Sequence, residues 1–177
     1  MAEDQANRAQ KLSQKLADFT ASFSLLAAPA KALDNAKLAI LDCLGVAMLA
    51  TRQEVGVNLL KFASANSGAG PCTIWGTNST ASPRDAALLN GTLAHGLDYD
   101  DRNHSTTYTL ATSLAVTEQL NLSGAKMLAA FIVGREVRNS LDALFGRRGT
   151  ASARAPKAGT PTASSVPSPP PVPRATH

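Results

Sequence analysis

The segment NGTLAHGLDYDDRNHSTTYTLAT, residues 90–112, concentrates the residue types that carry out proton transfer. Three carboxylates, Asp98, Asp100 and Asp101, fall within four residues, and His104 follows closely. Carboxylates are costly to place in a folded interior unless something uses or solvates them. Clustered carboxylates can raise one another's pKa until one holds a proton near neutrality, and imidazole exchanges protons in the same pH range. The segment therefore predicts an acid–base site.

Two other interpretations fit the same residues. Carboxylates favour helix N-termini, so the acidic run could be a solvated loop that only caps helix ends. Asp98, Asp100, Asp101 and His104 also offer ligand types that divalent metals accept. Their spacing matches neither an EF-hand loop nor a zinc motif. We therefore predict no metal and no cofactor.

The elements that must position these residues are predicted to be helices. Apolar residues recur at intervals of three and four, which is typical of a helix with one buried face. The first stripe is Ala9, Leu12, Leu16, Phe19 and Phe23; the second, opened by Pro29, is Leu33, Ala36, Ile40, Leu44, Ala47 and Met48. A third helix is expected over 54–64, and a short extended segment over 72–76. The sequence thus predicts an all-α fold.

The site segment lies between two of the later helices. Ser82-Pro83 is a helix cap followed by proline in the first turn, so a fourth helix begins there. A fifth is expected over about 109–120, and Ser123 caps a sixth. His95 falls beside Ala94 and Leu97 on an apolar face of the fourth helix, which favours a structural role over a catalytic one.

Charge divides the chain at about residue 146. All 13 acidic residues and 12 of the 17 basic residues lie before that point, which leaves this part close to neutral. Residues 147–177 hold five basic residues, seven of the ten prolines and almost no large apolar side chain. This composition cannot offset the entropy of ordering, so it predicts a disordered tail. The high pI comes from the tail, and we expect no nucleic-acid partner.

Two further segments bear on where the protein is located in the cell. The N-terminus lacks an apolar signal region, and Glu3 and Asp4 argue against a transit peptide. The apolar run near 38–50 is interrupted by Asp42 and is too short to cross a bilayer. Cys43 lies in that run and is expected to be a small buried hydrophobe. We expect no membrane partner and a cytoplasmic location, with a mitochondrial one left open.

Three segments in order resemble the MmgE/PrpD family: LDCLGVAMLA (41–50), WGTNSTASPRDAALLNGTLAHGLDYDD (75–101) and LSGAKMLAAFIVGREV (122–137). That family includes 2-methylcitrate dehydratases, cis-aconitate decarboxylases and related enzymes of polycarboxylic acids. The resemblance covers residues 8–146 and implies the first part of a helical domain that forms homodimers. It further implies a separate lid domain, which we expect to be absent from this sequence. The expected organisation is a partial helical domain at 1–146 followed by the tail at 147–177.

The resemblance also implies roles for individual residues. Asp98 is the acid expected to transfer a proton or orient the substrate, and His104 matches a histidine found in the same loop of some members. The more typical family histidine falls on Tyr108, which we carry as a catalytic candidate. Arg102 stands where a small hydroxyl residue is usual, and its guanidinium could clamp a substrate carboxylate. Asp100 and Asp101 would shape the loop and position its backbone, and Asp101 is carried with Arg102 as a substrate-binding candidate.

These implications predict a lyase that dehydrates an alkylcitrate or decarboxylates an aconitate-like acid, with a small polycarboxylic acid as its partner. Arg102 and Tyr108 depart from the family pattern, and the resemblance covers only the first part of the family sequence. We therefore expect this chain alone to be impaired as an enzyme. The alternative is a non-catalytic remnant that acts as an interaction protein or has no function.

Overall fold

The computed structural model describes residues 2–99, 101 and 104–153. Within them the fold is all-α, as predicted. The elements in chain order are α1 (Ala2–Ser22), a 3-10 helix (Leu25–Ala27), α2 (Ala30–Ala50), α3 (Glu54–Asn66), β1 (Cys72–Thr73), β2 (Thr80–Ala81), α4 (Pro83–His95), α5 (Ser105–Gln119) and α6 (Gly124–Ala153). None of these helices combines the length and the apolar composition needed to cross a membrane.

The chain divides into two units, Met1–Leu141 and Asp142–His177. The first contains every element up to and including most of α6. Of the second, the structure describes only the part of α6 that ends at Ala153. The predicted domain boundary at residue 146 falls inside this helix, and the first seven residues of the predicted tail are helical. The rest of that tail, 154–177, lies outside the described residues.

Helix α4 is central to the first unit and packs mainly against α5 and α2. Cys43 on α2 is buried, as predicted, together with Ala47 and Ala50. Met48 was expected on the same stripe, but this prediction is wrong because its side chain is 54 % exposed. The buried residues of α2 are Ala36, Cys43, Ala47 and Ala50. Met48 lies about 100° further round the helix from Ala47, outside this buried face.

The start of α4 confirms the predicted Ser82-Pro83 cap. The Ser82 hydroxyl accepts a hydrogen bond from the Asp85 backbone N–H at 3.2 Å, and donates one to the Asp85 carboxylate at 2.8 Å. The Gly68 backbone N–H donates to the same carboxylate at 2.7 Å. This bond from Gly68, then those from Ser82 and Arg84, lower the pKa of Asp85 below its ordinary value. The cap thus also ties α4 to the loop that follows α3.

A small hairpin contains the predicted extended segment. β1 and β2 pair antiparallel, with Cys72 opposite Ala81 and Thr73 opposite Thr80. Asn90 of α4 holds the hairpin: its Oδ1 accepts from the Trp75 backbone N–H at 2.9 Å, and its Nδ2 donates to the Thr73 carbonyl at 2.8 Å. A buried amide with both ends satisfied in this way takes the place of a neighbouring strand. Asn90, the first residue of the NGT motif, therefore has a structural role.

Helix α5 begins at Ser105, four residues before the predicted start. The threonines in its first turns are β-branched, which lowers helix propensity. Their hydroxyls find nearby acceptors, because Thr107 donates to the His104 carbonyl at 2.7 Å, Thr109 donates to the Ser105 carbonyl and Thr106 donates to the Asp101 carboxylate. The Asp101 carboxylate accepts from the backbone N–H of Thr106 at 3.1 Å and so caps the new N-terminus.

Candidate active site

His95, Asp98 and His104 come together beside the end of α4 and the start of α5. One ligand atom from each lies within 4.8 Å of the others, and all three side chains are exposed. The two imidazole rings meet edge to face with their centroids 4.7 Å apart. The structure therefore joins two predicted catalytic residues to a histidine for which a structural role was expected.

The exposure of His95 follows from the register of α4. Its buried stripe runs through Asp85, Ala86, Leu89, Asn90, Leu93 and Ala94. His95 lies seven residues after the exposed Leu88, and seven residues is two helical turns, so both point away from the core. The expectation that His95 packs on the apolar face is wrong for this reason.

Two left-handed backbone positions bring the other members of the group into place. Asp98 has φ of 54° and His104 has φ of 57°. The Asp98 N–H donates to the His95 carbonyl at 3.0 Å, and the His104 N–H donates to the Asp101 carbonyl at 2.8 Å. Non-glycine residues seldom adopt this conformation, although Asp and His do so more often than most. The chain therefore reverses sharply after α4 and again before α5, and the two histidines face each other.

Asp101 belongs to a different network from Asp98. One carboxylate oxygen accepts from the Ser105 hydroxyl at 2.8 Å, the Thr106 hydroxyl at 3.0 Å and the Arg135 guanidinium at 3.0 Å. The other accepts from the Thr106 backbone N–H. The predicted role of Asp101 in substrate binding stays a prediction, but these four bonds give it a structural role in holding the loop onto α5.

Arg135 is the residue that sequence reasoning missed. It lies on α6, four residues after the buried Phe131, and its guanidinium carbon is 5.6 Å from the centre of the Phe131 ring. Its Nε also donates to the Ser105 hydroxyl at 3.3 Å. The sequence did contain a signal for this contact: Arg135 is a basic residue on the core-facing side of the segment FIVGREV. A partly buried guanidinium needs an acidic partner.

The electrostatics of Asp101 oppose the idea of a raised carboxylate pKa at that position. Partial burial alone raises the pKa of Asp101, but the hydrogen bonds from Ser105 and Thr106 and the charge of Arg135 outweigh it. The pKa of Asp101 is therefore lower than usual, and the group stays ionised near neutrality. Asp101 thus lacks the property that a proton donor at neutral pH requires.

Of the remaining predicted site residues, the structure describes Tyr108 but not Arg102 or Asp100. Tyr108 lies in the first turn of α5, four residues after His104, and is 42 % exposed. Arg102, the predicted substrate clamp, lies outside the described residues. So does Asp100, which the divalent-metal interpretation included.

Comparison with known proteins identifies the relatives of this chain. The sequence model of the MmgE/PrpD N-terminal domain matches residues 14–163, which is most of the chain. The chain belongs to the MmgE/PrpD family. The match extends past residue 146, where the resemblance seen in the sequence ended, and it includes α2 to α6 together with the His95–Asp98–His104 group.

Two curated members of the family are similar to this chain. Cis-aconitate decarboxylase of Mus musculus is 34 % identical over 116 aligned residues, in an alignment that covers 60 % of this chain and 24 % of the relative. Cis-aconitate decarboxylase of Homo sapiens is 32 % identical over 120 aligned residues, in an alignment that covers 63 % of this chain and 25 % of the relative. The chain therefore spans about a quarter of the length of these relatives.

Proposed function

We propose that this chain provides part of a lyase site that acts on a small polycarboxylic acid. The observation that carries the proposal is the convergence of His95, Asp98 and His104 on one exposed point. Membership of the MmgE/PrpD family and the similarity to two cis-aconitate decarboxylases support it. The finer proposal is decarboxylation of an aconitate-like acid or dehydration of an alkylcitrate.

The chemistry requires groups that move protons beside a substrate carboxylate. In decarboxylation a carbon–carbon bond breaks, CO₂ leaves, and the electron pair left on carbon takes up a proton. In dehydration a base removes a proton from the carbon next to a carboxylate, and the hydroxyl leaves as water after it accepts a proton. We assign the proton transfers to Asp98 and His104, because carboxylate and imidazole are suited to general acid–base catalysis. Tyr108 remains a second candidate for the proton donor.

Substrate binding needs positive charge or hydrogen-bond donors to match several carboxylates. Arg102 is the proposed clamp, since a guanidinium holds a carboxylate through two parallel hydrogen bonds. His95 is an additional proposed contact, because an imidazole N–H can donate a hydrogen bond to a carboxylate oxygen. Asp101 and Arg135 act in this proposal only by holding the loop.

A binding experiment on the chain itself tests the substrate class. NMR titration with cis-aconitate and with 2-methylcitrate should shift the ring signals of His95 and His104, and acetate at the same ionic strength should not. His177, the third histidine of the chain, provides an internal reference. If all three histidines respond equally to acetate and to the polycarboxylates, the signals report ionic strength and the proposal fails.

The catalytic assignment needs a longer protein context. In a chimera, this chain's segment replaces the matching segment of mouse cis-aconitate decarboxylase, and CO₂ release from cis-aconitate is measured. A chimera that is active and loses activity on Asp98→Asn supports the assignment. Two negative results together favour the alternative of a non-catalytic interaction protein: the chain itself binds neither polycarboxylate, and the chimera folds but is inactive.

A further inference from the structure

We propose that His95, Asp98 and His104 form a binding site for one divalent transition-metal ion, of which Zn²⁺ is the representative. Two imidazole nitrogens and one carboxylate oxygen lie within 4.8 Å of one another. This donor set differs from the four residues that ligand type suggested as a metal site and that their spacing in the sequence argued against. The proposal concerns the chain without substrate. Asp98 and His104 cannot transfer protons while they hold a metal ion, so the metal-bound chain is a different form from the one to which the lyase function is assigned.

The identity of the ligands selects the class of metal. Imidazole suits zinc, copper, iron and nickel, whereas magnesium and calcium prefer sites built wholly from oxygen ligands. Two histidines with one carboxylate form a three-ligand set that leaves further coordination positions open to water or another molecule. A borderline divalent ion therefore fits this group, and a hard cation does not.

The geometry requires only a small closure. Metal–ligand distances of about 2.0–2.2 Å place neighbouring ligand atoms of a tetrahedral site about 3.3 Å apart. The present separations of up to 4.8 Å exceed this by about 1.5 Å or less. All three side chains are exposed, so small side-chain rotations can make this closure without moving the core.

The surrounding structure fixes the backbone at all three ligand positions independently of a metal. His95 is fixed at the end of α4, and the bond from the Asp98 N–H to the His95 carbonyl holds Asp98 beside it. His104 is fixed at the start of α5, where the Asp101 network anchors the loop. A site whose ligands are already placed loses less entropy when the ion binds.

The same network shows why Asp101 is not a ligand. Its two oxygens accept four hydrogen bonds from Ser105, Thr106 and Arg135, and the last of these is also an ion pair at 3.0 Å. Coordination of a metal by Asp101 would have to replace these bonds and would place the ion close to the Arg135 guanidinium. Asp98, three residues earlier, is exposed and lies beside both histidines.

The test is a titration of the full chain with Co²⁺, followed by its visible absorption, with Zn²⁺ and Mg²⁺ as competitors. We expect one equivalent of Co²⁺ to bind, Zn²⁺ to displace it and Mg²⁺ to leave it in place. Absence of a thiolate-to-cobalt absorption band will separate this site from any binding at Cys43 or Cys72. Binding of Co²⁺ that Mg²⁺ displaces as readily as Zn²⁺ would overturn the proposal.

Variants identify the ligands. His95→Ala, Asp98→Asn and His104→Ala should each weaken Co²⁺ binding by about tenfold or more, since even residues that only support a ligand are commonly worth 10–100-fold. His177→Ala removes the third histidine and Asp42→Asn removes an exposed carboxylate of α2, and both should bind Co²⁺ as the unmodified chain does. Unchanged binding in the two histidine variants, or its loss in His177→Ala, would sink the proposal.

A measurement on the unmodified chain covers the case in which a variant fails to fold. Co²⁺ at less than one equivalent should shift or broaden the ring signals of His95 and His104 together, before that of His177. If His177 responds first, or if His95 and His104 respond independently of each other, the two rings do not share an ion.

Discussion

At the scale of single residues, the structure separates the acidic side chains by what each one touches. Asp98 is exposed and lies beside two histidines, whereas Asp101 is bonded to Ser105, Thr106 and Arg135. Their positions, three residues apart in one short acidic run, do not distinguish them. Their contacts do distinguish them: substitution of Asp98 should affect catalysis, and substitution of Asp101 should affect stability.

In the chimera described above, Asp98→Asn should lower the rate of CO₂ release by about 10²–10⁴, the usual effect of a positioned acid–base group. Asparagine keeps the size of the side chain and tolerates positive φ, so the fold should be preserved. Asp42→Asn on α2 is the matched control for loss of one exposed carboxylate. An equally small loss of rate in both variants would show that Asp98 belongs to a loop that only caps helix ends.

Asp101→Asn should instead destabilise the fold, by about 1–2 kcal/mol, because it weakens hydrogen bonds and an ion pair that are only partly screened by solvent. The pKa of Asp101 is lowered in the folded chain, so its contribution is complete above the unfolded value of about 3.9. That contribution is lost as the pH falls through the folded value. Urea unfolding of both proteins should therefore give a difference that is constant near neutrality and shrinks below about pH 4. A difference that grows on acidification would contradict this account.

The sequence led to part of this site. Asp98 and His104 followed from residue type and from the family resemblance, and the structure brings them together. The pairing of Asp101 with Arg135 could not be predicted from local spacing, because 34 residues separate the partners. His95 was assigned to an apolar face because its neighbours are apolar, yet position in the helical register decides exposure.

At the scale of elements, close approach between backbones decides which glycines are essential. Gly56 is buried in α3, and a Cβ placed on it would overlap the backbone carbonyl of Ala50 at the end of α2. Gly45 lies on the exposed face of α2, where a Cβ would meet open space.

We expect opposite signs for the two glycine-to-alanine substitutions. Gly56→Ala should lower the free energy of unfolding by about 1–3 kcal/mol, because two backbones must move apart. Gly45→Ala should raise it by about 0.5–1 kcal/mol, because alanine is the better residue in a helix interior. Thermal unfolding followed by circular dichroism will measure both. A similar change in Tm for the two variants would mean that α2 and α3 are not packed as described.

The helices themselves were largely predictable, and their limits were less so. Periodic apolar residues predicted α1 and α2, and Ser82-Pro83 marked the start of α4. The start of α5 was missed because the Asp101 carboxylate, outside the helix, supplies its cap. β2 was missed because a two-residue strand has no period to detect, and Asn90 supplies part of its support from another element.

At the scale of the whole molecule, helix α2 exposes apolar side chains. Leu38 and Leu41 are 64 % and 69 % exposed, and Met48 and Leu49 on the same helix are about half exposed. Contiguous exposed apolar surface commonly marks association. The homodimer implied by the family resemblance stays a prediction that this surface makes testable.

The double substitution Leu38→Glu and Leu41→Glu should reduce self-association, because charge on this face opposes its burial. Sedimentation velocity over a range of protein concentrations should show weaker concentration dependence than for the unmodified chain. Leu26→Glu adds a charge at a fully exposed leucine outside α2 and serves as the control. If Leu26→Glu has the larger effect, α2 is not the associating face.

The ion pair between Arg135 and Asp101 has a consequence for the order of events during synthesis. The acidic loop leaves the ribosome 34 residues before the side chain that neutralises Asp101. Until α6 docks, Asp101 and the first turn of α5 lack the guanidinium that joins them. Helix α6 therefore completes a loop made 34 residues earlier, and the nascent chain acquires the Asp101–Arg135 pair only after α6 has emerged.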